Sequence, residues 1–189
     1  IAMSRTGIKD VLIANEIVGK QKIQALAVAS KHGYLTVAVD DVKNAEELSK
    51  AVSQVGSKLH VLIEVDVGMG RGGVRSPQEA VTLAQHLSEL PGLRFRGAQG
   101  YEGHCMREPD RGLRIKKAHK AMDCLGKVVD SLAEAGFMCE VVSAGGTGTY
   151  DITGANPMVT EIQAGSYVFM DNFHRNLVPG FSTSLTVLG

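Results

Sequence analysis

An alternation limits this chain more than any other feature of its sequence. Short apolar, β-branched runs at residues 11–18, 35–39, 61–67, 95–100, 141–144 and 162–170 are separated by stretches with helical spacing. Ala45, Leu48, Ala51, Val52 and Val55 recur on one helix face. Ser76-Pro77-Gln78-Glu79 opens a second helix: Ser76 can cap it, Pro77 suits its first turn, and Glu79 completes a capping box. Leu83, Ala84, Leu87 and Leu90 form its buried stripe, and Pro91-Gly92 ends it. A longer helix is expected over residues 111–135, with Leu113, Ala121, Met122, Leu125, Val128, Val129 and Leu132 inward and Gly136 as its stop. Strand and helix in strict turn imply an α/β protein, a parallel sheet covered by helices.

Two closures satisfy that pattern: an open doubly wound sheet or a closed barrel. Both collect ligand chemistry at the carboxyl ends of the strands. A closed barrel needs eight strands and six are legible. If the first of them is the barrel's third, the glycine-rich segment after residues 141–144 follows the seventh, where barrels commonly bind phosphate. The opening Ile1-Ala2-Met3-Ser4-Arg5-Thr6-Gly7 reads as a helix end closed by glycine, and residues 184–188 read as the start of a strand. The expectation is therefore a piece of a longer protein: a partial barrel over residues 1–175 and the start of a C-terminal β domain over 176–189.

Composition narrows the partners. With 189 residues, 44% of them hydrophobic, the chain has room for one sizeable core. Twenty basic residues balance twenty acidic ones, which gives no reason to expect nucleic acid or an anionic membrane as partner. No apolar run is long enough to span a bilayer. Three cysteines without CxxC spacing argue against a disulfide framework and for a reducing cytoplasm. The six histidines show no ligand spacing, and no metal site is legible.

Four strand ends can carry chemistry. Gly68-Met69-Gly70-Arg71-Gly72-Gly73 formally fits a dinucleotide fingerprint, but the next strand ends in Gln99-Gly100 and not in an acid suited to a ribose. What remains is a turn presenting Arg71, with a solvated turn arginine as the plain alternative. In Gln99-Gly100-Tyr101-Glu102-Gly103-His104, three groups able to exchange protons leave one strand end together; Tyr101 and His104 are the acid/base candidates. Gly145-Gly146-Thr147-Gly148-Thr149 offers backbone N–H and hydroxyl donors suited to a phosphate. Gly165-Ser166 can add a further donor beside it; an ordinary turn is the alternative for both.

Taken in order with Asn15-Glu16-Ile17-Val18-Gly19, Val61-Leu62-Ile63-Glu64-Val65-Asp66, Thr149-Tyr150-Asp151 and Tyr167-Val168-Phe169-Met170-Asp171, these segments resemble the D-threonine aldolase family. They resemble less closely the metal-dependent D-serine dehydratases, which share the alanine-racemase-type barrel of fold type III pyridoxal-phosphate enzymes. The resemblance implies a lyase that cleaves D-threonine to glycine and acetaldehyde. Its neighbours are a D-serine or 3-hydroxyaspartate dehydratase and, outside catalysis, a pyridoxal-phosphate carrier barrel. It further implies that Thr147 with the backbone of Gly146, and Gly165 with Ser166, hold the cofactor phosphate. Arg71 would face the pyridine nitrogen, Tyr101 would lie near the reacting carbon, and His104 near the substrate. The Schiff-base lysine and the ligands of a divalent metal (manganese, magnesium or zinc) would lie outside the chain, which alone is expected to be inactive. A small D-amino acid substrate and a homodimer complete the expectation for the full-length protein.

Overall fold

The computed structural model of the chain describes residues 2–178 and 180–184. After one helical turn, α1 (Ala2–Arg5), closed by Gly7 at φ 91°, come the strands β1 (Asp10–Glu16), β2 (Tyr34–Val39), β3 (Leu59–Glu64), β4 (Leu93–Gly100), β5 (Val141–Ala144) and β6 (Glu161–Ile162). Every pairing is parallel, and the spatial order is the sequence order. A doubly wound sheet reverses its order at a switch point, whereas this one never does. The six strands are therefore the wall of a partial barrel.

The crossovers are α2 (Lys20–Ala29), α3 (Val42–Gln54), α4 (Pro77–Glu89) and α5 (Arg111–Glu134), with short α6 (Tyr150–Thr153) after β5 and α7 (Asn172–Arg175) after β6. Carboxylates and a hydroxyl start the long ones. Asp41 accepts the Asn44 N–H at 2.9 Å, Ser76 that of Glu79 at 3.2 Å, and Asp110 that of Leu113 at 2.7 Å. Each such cap stabilises a helix by about 1 kcal/mol. The Glu79 carboxylate turns back to the Arg75 N–H at 2.8 Å, one residue ahead of the usual capping-box partner.

Period-two alternation sorts the strand side chains. Leu35, Val37, Val39, Val61 and Ile63 share one buried cluster with Leu26, Leu48, Val52, Leu83 and Leu87 of the helices. Thr36, Ala38, Leu62 and Glu64 are also buried, on the opposite face that lines the barrel interior. β4 bulges opposite Val61 and Leu62. At Gly97, φ is 148° and a Cβ would stand 1.9 Å from the Val141 carbonyl oxygen, so only glycine lets β4 meet β5 there. At the amino ends of the strands, Arg96 donates to both Asp10 oxygens (2.9 and 2.7 Å) and to Thr36 at 3.0 Å. Among the described residues no helix is long and apolar enough to cross a membrane.

The structure differs from the sequence reading in several places. Residues 162–170 are not one strand: the ladder stops at Ile162, because the Gln163 N–H folds inward to the Ala144 and Gly145 carbonyls at 3.0 and 3.2 Å. A 3-10 turn, Ser166–Val168, follows. In α5 the first inward position is Arg114 and not Leu113, which is exposed. Arg114 donates to the carbonyls of Glu108 at 2.7 Å and Leu177 at 2.8 Å. α2 is not announced by the sequence, since its buried face consists of only Ile23, Leu26, Ala27 and Ala29. Of the β-domain start expected over 176–189, residue 179 and residues 185–189 lie outside the described residues, and 180–184 contain no strand.

Candidate active site

All the named segments leave the carboxyl ends of the strands, and two of them are glycine-rich loops. In the first, residues 68–73, carboxylates hold three of the backbone donors, and residues 68–71 are exposed. The Asp66 carboxylate accepts the N–H groups of Gly68 at 3.0 Å and Gly70 at 2.9 Å, and Asp40, just past β2, accepts that of Gly73 at 2.8 Å. Burial raises the Asp66 pKa, but the N–H groups of Gly70, Gly68 and Met69 outweigh it and hold the carboxyl below its ordinary value. A loop folded around its own carboxylates offers no nest for a phosphate. The dinucleotide fingerprint is thus a coincidence of spacing. What the loop presents is Arg71, whose guanidinium carbon lies 5.9 Å from the Tyr101 ring centroid, within cation–π reach.

Beyond β4 the chain brings Tyr101 and His104 alongside. The Tyr101 ring lies flat enough on Gly146 that a Cβ there would stand 2.9 Å from its Cε2. Any other residue at 146 would push the ring away. Burial, and secondarily the charge of Glu102, raises the Tyr101 pKa against the opposing pull of Arg71, so the phenol keeps its proton at neutral pH. His104 borders the first loop: a Cβ on Gly68 would lie 3.3 Å from its Cε1. Its Nδ1 is buried without a hydrogen-bond partner among the described residues. Burial pushes the neighbouring Cys105 thiol up to about 11, which leaves it inert.

A buried hydrogen-bonded chain runs beneath these groups. Gln99 donates to the Glu64 carboxylate, and Gln163 Nε2 donates to Gln99 Oε1 at 3.4 Å and to Ser143 Oγ at 3.1 Å. Burial raises the Glu64 pKa to about 7.

The second glycine-rich loop, residues 145–149, is built the other way round. Gly145 N–H donates inward to Glu102 at 3.0 Å, and Gly146 N–H donates to Thr149 Oγ1 at 3.1 Å. The N–H groups of the next two residues, Thr147 and Gly148, find no acceptor among the described residues, although both residues are buried. Folds rarely leave such donors without a partner, which makes this loop the candidate for holding an anion. Thr147 Oγ1 accepts the Tyr167 N–H at 3.2 Å, which ties the Gly165–Ser166 turn to the loop. Neither Gly165 nor Ser166 has an acceptor for its own N–H among the described residues. Beside them lies a cavity of about 310 Å³ lined by Thr147, Tyr150, Ile162, Ala164, Tyr167 and Phe181.

The structure therefore assembles Arg71, Tyr101 and Gly146 in one stack, and Thr147 with Gly165 and Ser166 in one cup, while His104 joins the Arg71 loop. The Gly146 N–H is bonded to Thr149 Oγ1, whereas those of Thr147 and Gly148 have no acceptor among the described residues. Sequence reasoning gave no role to Asp66, Thr153 or Gln163, and it counted Glu102 among proton-exchanging groups and Thr149 among phosphate donors without pairing them, because nothing in residue type or spacing announces a buried polar contact. Among the described residues no three His, Cys, Asp or Glu side chains are grouped to hold a metal.

Comparison with known proteins identifies the fold. The family described as alanine racemase, N-terminal domain, matches residues 2–173. The D-threonine aldolase of Arthrobacter sp is 38% identical over 165 residues, 87% of this chain and 44% of that protein. The 3-hydroxy-D-aspartate aldolase of Paracoccus denitrificans (strain Pd 1222) is 39% identical over 171 residues, 90% of this chain and 44% of that protein. The crystal structure of D-threonine aldolase from Filomicrobium marinum superposes with a TM-score of 0.92 at 34% identity, covering 97% of this chain and 50% of that one. The chain thus spans half or less of the length of these relatives.

Proposed function

The chain belongs to the alanine racemase N-terminal-domain family, and from that premise we propose that it is the cofactor-holding part of a pyridoxal-phosphate-dependent lyase acting on D-β-hydroxy-α-amino acids. The reaction proposed is the cleavage of D-threonine to glycine and acetaldehyde. One observation carries the reading: buried, unpartnered N–H groups at Thr147 and Gly148 stand at the carboxyl end of β5, beside the Thr147 hydroxyl and the Gly165–Ser166 turn. That is the donor set a phosphate ester needs. The names of the relatives, two aldolases of D-amino acids, support the substrate class.

When bound, pyridoxal phosphate supplies a sink for the electron pair left at the α-carbon. The chain's own residues hold and orient it. Thr147, Gly165 and Ser166, with the Gly148 N–H, would hold the phosphate, and Gly146 makes room for Tyr101. Arg71 would stand toward the ring nitrogen; a guanidinium donates but cannot accept, and its fixed charge would disfavour protonation there. Cleavage requires that the β-hydroxyl lose a proton, the Cα–Cβ bond break, and the α-carbon regain a proton. Tyr101, protonated at its hydroxyl, and His104, whose buried Nδ1 has no partner among the described residues, are the groups proposed to exchange those protons.

The divalent metal implied by the resemblance finds no ligand set among the described residues, so no step is assigned to it. For the full-length protein we further propose a cytoplasmic homodimer with a second domain beginning near residue 176, the present chain being inactive alone. The free cysteines and the exposed Val168, Phe169 and Phe173 support the location and the further assembly.

The deciding assay supplies full-length protein with pyridoxal phosphate, manganese and D-threonine. Glycine and acetaldehyde in equal amounts are expected. 2-Oxobutanoate and ammonia would replace the aldolase by a dehydratase, and bound cofactor without turnover would leave a carrier barrel.

A further inference from the structure

We propose that Glu102 is a positioning residue for the phosphate cup, its carboxylate fixing the 145–149 loop so that the Thr147 and Gly148 N–H groups stay free for the ligand. This rests on the reading of that loop as a pyridoxal-phosphate site.

Glu102 follows Tyr101 out of β4 and is 0% exposed. A carboxylate is expensive to bury unless donors surround it. Here the donors come from one short segment. Gly145 gives its N–H at 3.0 Å, Thr149 its hydroxyl at 2.7 Å and Thr153 its hydroxyl at 2.5 Å. No lysine or arginine pairs with the carboxylate among the described residues. Its negative charge is met by the loop and the first turn of α6 alone.

The consequence lies in direction. Because Thr149 gives its hydroxyl proton to Glu102, its oxygen lone pair is left facing the Gly146 N–H, which it accepts at 3.1 Å. Two successive N–H groups are thereby drawn toward Glu102, and the turn closes with the Thr149 N–H on the Gly146 carbonyl at 3.1 Å. The intervening N–H groups, Thr147 and Gly148, remain without acceptors among the described residues. The carboxylate thus sorts the donors of one loop into an anchored pair and an available pair.

Charge alone argues the opposite way. A carboxylate so close to a phosphate repels it, so neutralising Glu102 should tighten phosphate binding if it acts only as a charge. If it acts by positioning, neutralising it weakens binding. The two effects differ in sign.

The test compares pyridoxine 5′-phosphate with pyridoxine, which lack the aldehyde and do not condense with lysines, by titration calorimetry on the cofactor-free full-length protein. Wild type should prefer the phosphate ester. Glu102→Gln, whose amide cannot accept from all three donors, should lose about tenfold in affinity for the ester, the size of a charge-assisted hydrogen bond, with pyridoxine affinity unchanged. Thr153→Val, which removes a single donor, should lose about threefold in the same ligand-selective way and decides the matter if Glu102→Gln does not fold. Unchanged or tighter ester binding, or equal losses for both ligands, would overturn the role of Glu102 while leaving the cofactor reading intact. A wild-type chain with no preference for the ester would overturn both.

Discussion

Residues 68–73 and 145–149 are two glycine-rich loops at the same end of one barrel wall, and they treat their backbone donors in opposite ways. The first is largely exposed, turns three of its N–H groups onto Asp66 and Asp40, and displays a side chain, Arg71. The second is buried, anchors two N–H groups and leaves the next two without an acceptor among the described residues. On glycine count and spacing, the first is the better phosphate motif. It fails because acidic residues stand within reach of its backbone, whereas the acid below the second loop takes up only its leading residues. Which carboxylates lie nearby, and which N–H groups they reach, decides whether a glycine-rich loop can bind an anion.

The sharpest way to break this contrast is a methyl group. Gly146→Ala places a Cβ 2.9 Å from the Tyr101 ring, and such overpacking costs about 1–3 kcal/mol. Ester binding should fall by up to about a hundredfold. Gly70→Ala, with nothing within 4 Å of the new Cβ but φ at 69°, should lower stability by about 1–2 kcal/mol and leave the preference for phosphate untouched. Equal effects on binding from the two variants would erase the distinction between the loops.

Glu64 supports the base of the first loop, its carbonyl accepting the Val74 N–H at 2.9 Å. Burial raises its pKa from 4.5 to about 7. A folded pKa above the unfolded one means that the folded state binds the extra proton. Stability is therefore full below 4.5 and declines as pH rises through about 7. Glu64→Gln should remove the decline, so denaturation curves of variant and wild type should separate between pH 5 and pH 8 by about 2 kcal/mol. Curves that stay parallel across that range would contradict the buried carboxyl.

Smaller effects are expected within the first loop. Asp66→Ala frees the N–H groups of Gly68 and Gly70 at a stability cost of about 1 kcal/mol, and faster hydrogen exchange confined to residues 68–73 should report it. Arg71→Leu removes a cation–π contact worth about 0.5–1 kcal/mol. Its larger signature is spectral: the absorbance of bound pyridoxal phosphate should shift as the ring nitrogen gains a proton, and an unchanged spectrum would remove Arg71 from the ring.

The succession of parallel strands and helices was legible in the sequence because apolar runs such as residues 35–39 alternate with helical spacing, whereas the pattern alone left an open sheet and a barrel both possible. Caps at Ser76 and the stop at Gly136 were legible because local geometry restricts residue type. Residues 162–170 misled, since an apolar run reads alike whether it pairs as a strand or turns, and the inward fold of Gln163 depends on carbonyls in another segment. The site was half legible for the same reason. Arg71, Tyr101 and Thr147 stand at strand ends and attract attention, whereas Glu102 and Asp66 act through backbone N–H groups that any sequence possesses.

The comparison of the loops can be read directly by following backbone amide resonances of the ¹⁵N-labelled chain as pyridoxal phosphate is added. The Thr147 and Gly148 amides should shift first and furthest, with those of Gly68 and Gly70 holding still. Shifts concentrated at Gly68 and Gly70, with Thr147 and Gly148 unmoved, would contradict the account at its center.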